Sequence, residues 1–166
     1  EPFGGNPLAV FPSGGELSER EFQQIAREMN LSETVFVLPP TDPRAAAKVR
    51  IFTPFQEIPF AGHPILGTFY VLGALKLLTL QEPVTKVLYE CNLGLYPLEL
   101  IVLKNQIEQV VMSQPPPQFI EVPQQVESIY EISKALGIHK SLIAGTSCPV
   151  EVVSTGLPVL IVPIRT

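Results

Sequence analysis

Between Ile65 and Leu78 the chain is apolar at every position except Gly67, Thr68, Gly73 and Lys76. A helix without a polar stripe has no face to offer water, so this run predicts a helix buried on every side, with the other elements wrapped around it. At about fifteen residues with two glycines, it falls short of the ~20 that a bilayer requires. Pro64 suits the first helical position, where its missing N–H has no intrahelical partner, and Gly62 and His63 then form the approach to the helix. Free backbone N–H groups and the positive end of the helix dipole would meet an imidazole there. Such an end receives anions and disfavours imidazolium. On periodicity alone, His63 suits a capping or packing role as well as a functional one.

The elements leading into this helix follow from local signals. Leu8-Ala9-Val10-Phe11 is a short apolar strand closed by Pro12 and Ser13-Gly14-Gly15. Ser18 with Glu21 forms a capping box, and Phe22, Ile25, Ala26 and Met29 recur at helical spacing up to Asn30. Glu33 to Leu38 is rich in β-formers and stops at Pro39-Pro40. Strand alternation puts Glu33, Val35 and Val37 on one face. Lys48 to Thr53 is the next strand and delivers the chain into the central helix.

Beyond the helix, Lys86–Cys91, Leu95–Leu103 and Ile107–Ser113 read as an antiparallel meander, ended by Pro115-Pro116-Pro117. Residues 115–125 are too rich in proline and glutamine for a regular element and are expected to be a connector. Glu127 to Leu136 suits a short helix with Ile129, Ile132 and Leu136 inward and Gly137 as its stop. Val150–Val153 and Val159–Ile164 read as strands around Gly156. The sum is an α+β fold, a mostly antiparallel curved sheet wrapped around one apolar helix.

The frame G-x-P, four apolar residues, P occurs twice, in Gly5-Asn6-Pro7-Leu8-Ala9-Val10-Phe11-Pro12 and in Gly156-Leu157-Pro158-Val159-Leu160-Ile161-Val162-Pro163. Two lobes of one design would begin alike. Residues 1–150 are therefore expected to be a first lobe and 151–166 the opening strands of a second. The start at Glu1 reads as a loop already in progress, so a strand is expected before it, and the chain is expected to belong to a longer protein.

The net charge of −5, with scattered Lys and Arg, offers no basic stripe for nucleic acid. Cys91 and Cys148 form no C-x-x-C pair, so neither a metal site nor a disulfide framework is expected. No signal peptide or membrane span is recognisable, and a reducing cytoplasm is the expected compartment.

Phe3-Gly4-Gly5-Asn6-Pro7-Leu8-Ala9-Val10, Asn30-Leu31-Ser32-Glu33-Thr34-Val35-Phe36-Val37, Val49-Arg50-Ile51-Phe52-Thr53-Pro54 and Glu57-Ile58-Pro59-Phe60-Ala61-Gly62-His63-Pro64 together resemble the amino-terminal half of the phenazine-biosynthesis PhzF-like family. Ser113-Gln114-Pro115-Pro116-Pro117 and Ser154-Thr155-Gly156-Leu157-Pro158 extend the resemblance over nearly the whole chain. It implies a diaminopimelate-epimerase-like architecture of two similar lobes with a cleft between them. It also implies cofactor-independent isomerase chemistry, in which a glutamate moves a proton between carbons of a small carboxylated substrate such as a dihydro-hydroxyanthranilate. The matching glutamate is Glu33. The matching histidine is His63, with Gly62 and Pro64 shaping a substrate-binding helix end, and a homodimer is the implied assembly.

Those residue types suit the chemistry. A proton taken from one carbon and returned to another needs a base that becomes an acid, and apolar neighbours such as Val35 and Val37 would shield it. A neutral His63 and the helix-end N–H groups can hold a carboxylate or a developing oxyanion. Glu57 reads as a loop charge or a cap. Two other readings stay open. Two-thiol racemases and epimerases share the architecture, but carry a cysteine where this chain has Ala61, and Cys91 and Cys148 read as core or loop residues. A single lobe would instead be a binding or dimerisation module, burying apolar surface meant for its partner.

Overall fold

The computed structural model describes residues 4–120 and 128–165. They fall into two compact units, Glu1–Gln114 and Pro115–Thr166. The boundary between these units lies at Gln114–Pro115, and the lobe boundary expected from the sequence lies at 150–151.

The first unit is a seven-stranded sheet with one helix on each face. Strands β1 (Leu8–Phe11) and β2 (Glu33–Leu38) pair in parallel, with α1 (Glu19–Met29) making the crossover between them. Strand β3 (Ala45–Phe52) runs antiparallel to β2 and carries the two-residue β4 (Glu57–Ile58) on its other side. Helix α2 (Gly62–Ala74) then crosses to β5 (Val84–Cys91), which is parallel to β3. Strands β6 (Gly94–Leu103) and β7 (Gln106–Met112) complete the antiparallel meander. Lys104 and Asn105 both adopt positive φ, as a tight two-residue hairpin turn requires. Four of the six pairings are antiparallel. The two parallel ones fall where a helix intervenes, because parallel neighbours need a long crossover connection.

Alternation along the strands sorts the side chains into two cores. Phe36 and Phe52 face α1, meeting Phe22 and Ala26, and the Phe22 and Phe36 rings stand 4.7 Å apart. Arg50 lies against this cluster with its guanidinium 4.9 Å from the Phe22 ring centre and 5.2 Å from that of Phe52. Val35, Val37, Val49 and Ile51 face the other way, onto Ile65, Phe69 and Leu72 of α2, with Tyr89, Leu98 and Leu100 closing that core.

Helix α2 differs from expectation in three respects. It begins at Gly62 with Ala61 as N-cap, so Pro64 is its third residue and His63 its second. Proline is tolerated throughout the first turn, and its ring did not mark the boundary. The helix ends at Ala74 rather than running to Leu78. Lys76 takes a left-handed conformation at φ 59°, donating to the Gly73 carbonyl at 3.0 Å while Leu77 donates to Leu72 at 2.8 Å, the pattern of a Schellman stop. Nor is the helix buried all round. The sheet curls over one side, from β1 to β7, and Tyr70 is 52% exposed. Gly67 and Gly73 bring the helix against the sheet, since a β-carbon at Gly67 would lie 2.6 Å from Leu8 Cδ2 and one at Gly73 would collide with Ile107.

In the second unit, β8 (Gln118–Ile120), β9 (Glu151–Ser154) and β10 (Pro158–Ile161) form an antiparallel sheet, with α3 (Ile129–Leu136) and α4 (Ser141–Ala144) between β8 and β9. Strand β8 lies within the stretch expected to be an irregular connector. Its pairing with β9 supplies the hydrogen bonds that the local composition did not signal. Residues 121–125 and Glu127 lie outside the described residues. Gly137 stops α3 at φ 68° as expected, but only Ile132 of the three predicted apolar residues is buried, Ile129 and Leu136 being exposed at the helix ends. Both copies of the G-x-P frame lead into strands. The first pairs in parallel and the second in an antiparallel hairpin. No helix among the described residues is long and apolar enough to cross a membrane.

Candidate active site

Two elements bring the site together. Glu33 is the first residue of β2, and its side chain points with Val35 and Val37 toward α2, as strand alternation requires. His63 occupies the second position of α2, so its ring projects from the helix's N-terminal turn. Glu33 Oε2 and His63 Nε2 lie 3.1 Å apart, the side chains being 17% and 38% exposed. Among the described residues no hydrogen bond reaches this buried carboxylate oxygen, His63 Nε2 being its near neighbour.

The helix end also lacks a side-chain cap. Ala61 has no side-chain oxygen to cap the first turn, and no capping hydrogen bond is formed. The Gly62 and His63 N–H groups therefore have no intrahelical partner, and Pro64 has none to offer. A β-carbon on Gly62 would meet Gln114 Nε2 at 3.4 Å, placing that amide against the first residue of the helix. Glu33 and His63 are thus brought together at the start of α2, where Gly62 and Pro64 flank the histidine.

Asn6 and Ser32 went unremarked in that reading, although both sit within the quoted motifs. The parallel register Leu8↔Glu33 carries the chain preceding β1 to the start of β2. Ser32 Oγ donates to Asn6 Oδ1 at 2.8 Å, and Asn6 Nδ2 lies 3.5 Å from His63 Nε2. A parallel pairing can be read only after the crossover helix has been placed.

Other residues take structural roles. Glu57 is the first residue of β4, not a loop charge, and accepts from Arg50 at 2.7 and 2.8 Å and from Asn92 at 2.8 Å. Arg50 also pairs with Glu19, and these two carboxylates hold its guanidinium still more firmly in the charged form. Cys91 is 5% exposed in the core, where burial pushes its thiol up. Cys148 is exposed in the second unit. Among the described residues no three His, Cys, Asp or Glu side chains gather as a metal site would need. Clefts of about 480 Å³ beside β3 and β5 and about 570 Å³ at the C-terminal end of α2 touch neither Glu33 nor His63.

The chain matches the family model of the phenazine biosynthesis-like proteins over residues 1–166. It is 39% identical over 155 residues to the trans-2,3-dihydro-3-hydroxyanthranilate isomerase of Pseudomonas chlororaphis, which covers 93% of this chain and 50% of the relative. Among solved structures, a PhzF-family phenazine biosynthesis protein of Bacillus anthracis superposes with a TM-score of 0.77 at 31% identity, covering 99% of this chain and 52% of that one. A hydroxyproline epimerase of Agrobacterium vitis shares the fold with a TM-score of 0.66 at 17% identity, over 87% of this chain and 40% of that one. The chain spans about half the length of the curated relatives it matches. With the fold in common and the family model spanning all 166 residues, the chain belongs to the PhzF-like phenazine-biosynthesis family.

Proposed function

We propose that this chain supplies the proton-transferring half of an isomerase acting on a small, carboxylated cyclic substrate. The observation that carries the reading is the buried, unpartnered Glu33 Oε2 beside His63 at an uncapped helix end. A carboxylate with a free lone pair can take a proton from a carbon next to an unsaturated system. The electron pair moves into the conjugated system, and Glu33, now a carboxylic acid, returns the proton to another carbon. Mass and charge balance without a co-reactant. The Gly62 and His63 N–H groups and the dipole end hold the substrate carboxylate and the charge that develops beside it. No cofactor is called on, because both the base and the anion holder are side chains and backbone of the chain itself.

The proposed substrate class is supported by the P. chlororaphis relative, whose name specifies a dihydro-hydroxyanthranilate. The cytoplasm and a homodimer are the compartment and assembly we assign to the whole protein. The test is incorporation of solvent deuterium into cyclic hydroxy-acids, trans-2,3-dihydro-3-hydroxyanthranilate first. Incorporation is expected with the wild-type protein, reduced with His63→Ala and lost with Glu33→Gln. Undiminished exchange by Glu33→Gln would remove the base from the mechanism.

A second reading, a lobe that binds or dimerises through apolar surface, is favoured by the second unit. There Phe119 is 70% exposed and Tyr130 59%. Light scattering on the polypeptide of 166 residues would show a concentration-dependent dimer if that surface associates.

A further inference from the structure

One ring nitrogen, His63 Nε2, faces two neighbours of opposite demand. Glu33 Oε2, when ionised, only accepts and would take a proton carried on Nε2. Asn6 Nδ2, at 3.5 Å, only donates and would meet a lone pair. The choice between them is biased by Ser32. Its hydroxyl donates to Asn6 Oδ1 at 2.8 Å, which occupies the amide oxygen and turns the NH₂ toward the ring. At the other neighbour, Glu33 Oε2 lies 3.1 Å from Nε2 and, among the described residues, receives no hydrogen bond.

We infer that Asn6, oriented by Ser32, is a positioning residue that keeps Nε2 unprotonated and the ring proton on Nδ1, leaving Glu33 without a donor and so free to act. This inference rests on the proposed role of Glu33 as the base. An Nε2–H turned onto Glu33 would stabilise the carboxylate and occupy the lone pair that must take the substrate proton. The Ser32–Asn6 pair prevents this without touching the reacting carbon. It also explains why the parallel pairing of β1 with β2 belongs to the site. That register alone carries Asn6 from the loop before β1 to the start of β2.

The experiment is long-range ¹H–¹⁵N correlation of the His63 imidazole in the intact protein, assigned by its loss in His63→Gln, with deuterium exchange measured on the same samples. The two ring nitrogens are chemically distinct and their protonation is read directly. The wild type is expected to show Nδ1–H and a bare Nε2. Asn6→Ala should move the proton to Nε2 and lower kcat about tenfold, a fraction of the 10²–10⁴ that general acid–base catalysis contributes, with KM changed far less. Ser32→Ala should shift both readouts the same way by less, and Ser32→Thr, which keeps the hydroxyl, should restore them. An Nε2–H tautomer in the wild type, or one unchanged by Asn6→Ala, would overturn the inference. A bare Nε2 in a wild type that exchanges no deuterium would support the hydrogen-bond assignment and overturn the isomerase reading instead.

Discussion

The two helices of the first unit solve the same problem in opposite ways. Helix α1 satisfies its own first turn, since Ser18 Oγ accepts from the Glu21 N–H at 3.4 Å and Glu21 Oε2 accepts from the Ser18 N–H at 2.8 Å. Helix α2 opens on Ala61, which caps nothing. At α1 the dipole is met by Glu19 and Glu21, whereas the first turn of α2 holds no acidic residue. One end is complete within itself, and the other has neither a side-chain cap nor an acidic residue in its first turn. The difference also lies in what stabilises each helix. The first is amphipathic and locally signalled; the second depends on tertiary burial, because neither cap nor charge contributes at its start.

Packing should therefore dominate at α2. Phe69, fully buried against Tyr89 with ring centres 5.5 Å apart, should cost about 3–5 kcal/mol on truncation to alanine, measured by denaturant unfolding. Ala61→Asp would give α2 a side-chain N-cap, the part that the Ser18 hydroxyl plays at α1. It should weaken binding of an anionic substrate analogue by about tenfold, or ~1.4 kcal/mol by calorimetry, because the new side chain competes for the same N–H groups. Unchanged affinity would separate the helix end from the binding site. At α1, Ser18→Ala removes the cap, with an expected loss of about 1 kcal/mol in stability and no change in deuterium exchange. The smallest effect belongs to the far end of α2. Lys76→Gly relieves a left-handed lysine at φ 59° and should stabilise the protein by up to about 1 kcal/mol, read as a rise in denaturation midpoint.

The same contrast sets what was legible in the sequence. Helix α1 was readable to its cap because Ser18, Glu21 and Asn30 act within a few residues of one another. The start of α2 was placed two residues late, since Ala61 carries no capping signal and proline fits anywhere in a first turn. Its end was placed four residues late because a lysine occupies the position where glycine usually marks the stop. The strand alternation that aims Glu33 at α2 is local and was readable. The contribution of Asn6 and Ser32 was not, because it arises from the β1–β2 register, a pairing across more than twenty intervening residues. Strand β8 was missed for the same reason, its partner β9 lying beyond two helices.

The central claim is that the uncapped end of α2 and the unpartnered oxygen of Glu33 face the same ligand. A crystal structure of the intact protein with a carboxylated cyclic substrate analogue tests it most directly. The carboxylate is expected within hydrogen-bond distance of the Gly62 and His63 N–H groups, and the carbon that loses its proton about 3–3.5 Å from Glu33 Oε2. An analogue bound elsewhere, with Glu33 Oε2 left facing His63 alone, would contradict it.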